Sequence, residues 1–218
     1  MVAGISVFIH DFESMPFYAQ DIKAARNHLR KNDEVMKAII RAVGPFTAKA
    51  RRDRFDTLVR SVLSQQISVA AAQTIRGRLQ EAVGEAGITP VSLLKFEVDE
   101  LRELGISRQK ATYVLDLADS VDSGAVNLQL IHKKTDEEVI QELIQVKGIG
   151  VWTAQMFLMF SLARMDIFPV DDLGIKNAIK RSYGLGEVPD RSTMEQLAQN
   201  WRPYATVASW YLWQSLEV

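Results

Sequence analysis

The stretch Val146-Lys147-Gly148-Ile149-Gly150-Val151-Trp152-Thr153-Ala154 decides the fold. Two glycines flank one apolar residue, with helical periodicity from Asp136 to Ile144 before them and from Val151 to Leu162 after them. So short a connection predicts a tight helical hairpin that plugs Ile149 into the core. Glycine lets backbone approach a ligand closely, and the unpaired N–H groups of a helix start carry the positive end of its dipole. The segment reads either as a structural turn or as a phosphate-binding one.

Outward from the hairpin the period stays helical. Phe55, Leu58, Val59, Val62 and Leu63 form an apolar stripe on one helix, with Arg60, Ser64 and Gln65 on its other side. A second helix runs from Ser68 through Val83 to Gly84 and Gly87, and Thr89-Pro90 opens a short one. Ser107 caps a helix over 107–121 that Gly124 ends. Another begins at Asp171 or Asp172 and ends near Gly184, and the last spans about Pro203 to Ser215. Strand alternation is missing. The expected fold is all-α: one domain over 1–218 made of two packed helical subdomains, 54–164 and 1–53 plus 165–218. A cleft between them would hold Asp172 just past the crossing.

Composition narrows the chemistry. With 218 residues and 47% apolar content the chain can build a core without staples. It has no cysteine, which excludes disulfides, thiolate zinc and a cysteine-held iron–sulfur cluster. His10, His28 and His132 show no metal-ligand spacing. The apolar run from Val2 to Ile9 lacks a basic leader, and later apolar runs are broken by charge, so a soluble intracellular protein without membrane contact is expected, in the cytoplasm or nucleoid of a prokaryote or the nucleus of a eukaryote. A net charge of −1 argues mildly against a nucleic-acid partner, yet Lys49, Arg51, Arg52, Arg54 and Arg60 make one segment locally basic.

Taken together, Ser64-Gln65-Gln66-Ile67-Ser68-Val69-Ala70-Ala71-Ala72, Leu104-Gly105-Ile106-Ser107-Arg108-Gln109-Lys110-Ala111, the hairpin, Val170-Asp171-Asp172, Trp201-Arg202-Pro203-Tyr204 and Trp210-Tyr211-Leu212-Trp213 resemble the helix-hairpin-helix DNA glycosylase superfamily. The resemblance spans about residues 50 to 215 and points to its alkylpurine (3-methyladenine) DNA glycosylase II branch. It implies a monomer acting on damaged double-stranded DNA, with Asp172 catalytic and Trp152, Trp213 and Met156 at the substrate pocket. Gln66, Lys147, Gly148, Gly150 and Thr153 would meet DNA. Backbone carbonyls of Ile144, Val146 and Ile149 would hold a structural sodium or potassium, with no catalytic cofactor. Lys147 stands where proline is common, Ala205 where arginine is common, and Met156 where the pocket is often aromatic.

Asp172 also reads simply as a helix N-cap, and the two roles are compatible, because a helix start favours an ionised carboxylate. Breaking an N-glycosidic bond passes through an oxocarbenium-like sugar that such a charge stabilises while it orients water. Bifunctional members of the family carry a Schiff-base lysine two residues beyond the second glycine, where this chain has Trp152. That implies hydrolysis without strand cleavage. Gln66 reads either as the side chain that fills the gap left by a flipped nucleotide or as a bridge between helices. Rival functions are a non-catalytic DNA-structure binder, a helical protein-interaction module, and a glycosylase for mismatched or oxidised bases.

Overall fold

The computed structural model describes residues 14–218, so the run from Val2 to Ile9 lies outside the described residues. Helices dominate, with one small addition to the expected all-α pattern: the short strands β1 (Ser14–Pro16) and β2 (Lys49–Arg51) pair with each other. The described chain divides into two compact units, residues 51–161 and residues 14–50 with 162–218.

The first unit holds α3 (Arg54–Ser64), α4 (Val69–Val83), α5 (Pro90–Leu93), α6 (Val98–Glu103), α7 (Arg108–Asp122), α8 (Asp136–Leu143) and α9 (Val151–Phe160). Helix starts follow the polar residues that precede them. The side chains of Asp53, Ser68 and Ser107 accept the amides of Asp56, Ala71 and Lys110, and Thr89 and Thr135 close capping boxes. α9 packs against α3 and α8 and encloses Met156 through Phe160. Each such side chain contributes about 1.5–3 kcal/mol over leaving it in water.

α3 differs from the expected two-faced helix. Arg60 is buried with Thr57 and Ser61, so the helix is enclosed on its polar side as well. The charge is tolerated because Asp56 Oδ2 accepts Arg60 Nε at 3.3 Å and Arg76 Nη2 at 2.8 Å.

The second unit holds α1 (Ala19–Asn32), α2 (Glu34–Val43), α10 (Leu173–Ser182), α11 (Arg191–Gln199) and α12 (Ala205–Ser215). α12 is its centre, buried along nearly its whole length and packed by α1, α2 and α10. It begins two residues later than the sequence suggests, where Asp166 Oδ1 accepts the Ala205 amide at 3.2 Å. Asp33 ties this unit together. Its Oδ1 caps α2 at the Met36 amide, 3.0 Å away, while its Oδ2 accepts Trp201 Nε1 at 2.9 Å and the Tyr183 hydroxyl at the end of α10. Burial, and then the Asp33 carboxylate, push the Tyr183 hydroxyl far above its ordinary titration range. Among the described residues no helix is long and apolar enough to cross a membrane.

Candidate active site

The hairpin forms as expected, between the end of α8 and the start of α9, with Val146 and Ile149 buried. The Ile149 amide closes the turn on the Val146 carbonyl at 3.1 Å. Gly148 has a positive φ of 83°, and a Cβ there would lie 2.1 Å from the Tyr113 ring. Gly150 is different: its φ is −96° and a Cβ would meet nothing within 4 Å. The first glycine is therefore required by packing and conformation. The second lets α9 start without a side-chain cap, which leaves its first turn suited to an external anion.

α7 braces this turn with one face, through residues spaced three apart. Lys110 Nζ donates to the carbonyls of Leu63 at 2.7 Å and Gln65 at 2.6 Å, and its burial lowers the ammonium's titration point. Tyr113 lies against Gly148, so it is a half-buried support for the hairpin and not the core residue that its aromaticity suggests. Asp116 accepts the Lys147 amide at 2.9 Å and pairs with the Lys147 ammonium at 3.3 Å, which balances the charge that replaces proline.

The α3–α4 junction is tied to the same place. Gln65 Nε2 donates to the Gly148 carbonyl at 2.8 Å, and the next residue, Gln66, is exposed with a φ of 58°. A non-glycine residue there costs energy that the surrounding bonds must meet. Gln66, Lys147, Gly148, Gly150, Ile144, Val146 and Ile149 thus border one open recess of about 530 Å³. Thr153 is buried in the first turn of α9, and Trp152 beside it is half-buried. Met156 is fully enclosed in the core of its unit.

In the other unit Asp172, not Asp171, caps α10. Its Oδ1 accepts the Ile175 amide at 2.8 Å and the Trp213 indole N–H at 2.8 Å. Asp171 is exposed and pairs with Arg191 at 2.6 Å. Trp213 is 1% exposed, so its polar edge serves Asp172. Space is tight: a Cβ on Gly174 would come within 3.0 Å of Asp172 Oδ1 and 3.2 Å of the Trp213 ring. Ala205, at the start of α12, is fully buried. Lys110 and Asp116 were not singled out from sequence as supports, and Tyr113 reads there as core, although their spacing along one helix face ahead of the hairpin was the available signal.

Residues 59–203 match the HhH-GPD superfamily base excision DNA repair protein family. The chain is 32% identical over 203 residues to an alkylbase DNA glycosidase-like protein of Schizosaccharomyces pombe, covering 89% of this chain and 93% of that one. It is 34% identical over 169 residues to the YfjP protein of Bacillus subtilis, covering 75% of this chain and spanning only 59% of that relative's length. Its fold is similar to a 3-methyladenine DNA glycosylase of Schizosaccharomyces pombe in complex with abasic DNA, with a TM-score of 0.80, 30% identity, and coverage of 89% of this chain and 97% of that one. With its hairpin, its α10 carboxylate and a match over most of its length, the chain belongs to the HhH-GPD superfamily of base excision DNA repair proteins.

Proposed function

We propose that this chain is a monofunctional DNA glycosylase that releases alkylated purines of the 3-methyladenine type by hydrolysis. The observation that carries the reading is Asp172 Oδ1, held by two N–H donors at the start of α10. A carboxylate fixed in this way stabilises the oxocarbenium-like sugar and orients the attacking water without reorganising. The names of the relatives, 3-methyladenine and alkylbase glycosylases, support the substrate class. Electron-rich rings suit a cationic base, and Trp152, only half-buried, is the tryptophan of the expected pocket with surface to offer one. Trp152 also occupies the place of the lyase lysine, which favours base release without strand cleavage.

The hairpin supplies the DNA grip in this scheme, with Gln66 filling the gap left by the flipped nucleotide. Three neutral carbonyl oxygens, from Ile144, Val146 and Ile149, suit an alkali cation, and the Val146 carbonyl keeps a second lone pair after accepting the Ile149 amide. Such a cation would add positive charge at the hairpin facing a DNA phosphate. The deciding experiment is chromatography of bases released from methylated duplex DNA by wild type and by Asp172→Asn. Release by wild type alone supports the reading, and undiminished release by the variant overturns the role of Asp172. Borohydride trapping of the protein on abasic DNA would overturn the hydrolytic assignment.

A further inference from the structure

The second unit carries a recess of about 490 Å³ that the active-site reading does not use. Lys23, Arg26 and Arg30 line it from one face of α1, and Lys49 lines it from β2, the part of the basic segment singled out by sequence that turns toward this unit. Among the described residues that line it, none is acidic. Arg26 Nε is buried and, among the described residues, has no hydrogen-bond partner. A buried arginine donor without an acceptor is costly, and an anion entering the recess would supply one. Elsewhere in the basic segment, Arg54 donates to backbone carbonyls of Leu128 and Gln129, and Arg60 pairs with Asp56.

The apolar side of the recess is aromatic. Phe17 and Phe46 meet edge to face at 5.3 Å, and Phe46 also packs on Trp210 at 4.6 Å, which fixes the ring in place. Cations beside a fixed aromatic ring are the elements by which proteins hold unpaired nucleic acid, with phosphate on the charges and base on the ring. We propose that this recess is a second nucleic-acid site, which takes a phosphodiester of an unpaired DNA strand against Arg26, Arg30, Lys23 and Lys49, with the adjoining base on Phe46. The choice of DNA over other phosphates rests on the family reading. The site itself does not depend on base release.

The test is fluorescence anisotropy of the full chain with a labelled, undamaged oligothymidylate across a salt series. The variant carries Lys23→Gln, Arg30→Gln and Lys49→Gln, all at exposed positions, so the half-buried Arg26 stays in place. Losing three phosphate contacts should flatten the slope of log affinity against log salt by about 2 and weaken binding about tenfold or more at low salt. A control with the same charge change, Arg41→Gln, Lys95→Gln and Lys133→Gln, should keep the wild-type slope. An unchanged slope in the first variant, or equal flattening in the control, overturns the proposal. Competition with thymidine monophosphate separates the two sources of phosphate: displacement only at far higher phosphate concentration supports a strand, and displacement at matching concentration overturns it in favour of a free nucleotide. Undamaged DNA is the probe, so a wild type that released no base would sink the glycosylase reading and leave this result standing.

Discussion

Trp213 donates its indole N–H to Asp172 Oδ1 at 2.8 Å, the same oxygen that takes the Ile175 amide. The tryptophan therefore acts through the carboxylate. Trp213→Phe keeps the buried ring and removes the donor, and a bond to a charged group is worth about 1.5–3 kcal/mol. Single-turnover base release should fall about tenfold or more, while Asp172→Asn should lose about a hundredfold or more. Asparagine still caps helices well, so the thermal midpoint of Asp172→Asn should stay close to wild type. Equal losses of stability and activity would reduce Asp172 to a cap.

The hairpin glycines should respond differently to the same change. Gly148→Ala combines a positive φ with a Cβ placed on the Tyr113 ring, and should cost about 1–3 kcal/mol and most duplex binding. Gly150→Ala meets neither obstacle and should fold like wild type. Thermal melts and mobility shifts on abasic-analogue duplex check both, and a harmless Gly148→Ala would contradict the packing.

Lys110→Met leaves the carbonyls of Leu63 and Gln65 without their ammonium and loosens the junction that presents Gln66. A loss of about 1.5–3 kcal/mol in urea melts is expected, together with weaker binding to abasic duplex. Unchanged duplex affinity would show that the Gln66 backbone does not depend on this bond.

The Tyr183 hydroxyl titrates above its ordinary value of 10.0 because it is buried and bonded to Asp33. The folded state thus favours the protonated phenol. Its contribution is complete below the unfolded value and is lost as pH climbs past it toward the folded one. Between about pH 9 and 11, wild type should lose stability more steeply than Tyr183→Phe in urea titrations. Parallel curves would remove Tyr183 from the alkaline response.

Much of this architecture was legible because it follows from local chemistry. Ser68 and Ser107 mark helix starts with their own side chains, and Gly148 marks a turn whose conformation and packing suit glycine alone. Local chemistry left the cap of α10 open between Asp171 and Asp172; the family resemblance singled out Asp172, and it is Asp172 that accepts the Trp213 indole N–H. Arg60 and Tyr113 misled for the same reason. Charge and aromaticity suggest surface and core, but Asp56 draws the first inward and Gly148 holds the second at the hairpin. The recess along α1 was invisible because the period of a helix shows which residues share a face and not what that face will border.

Gly148 and Tyr113 also constrain the order in which this hairpin can change over time. A side chain at 148 is admissible only after the ring at 113 has been replaced by something smaller, whereas 113 can shrink while the glycine remains. Substitution is thus directional. Any lineage that carries a larger residue at 148 should have passed through an intermediate that lacked the ring, and reconstructed ancestors would record that sequence of events.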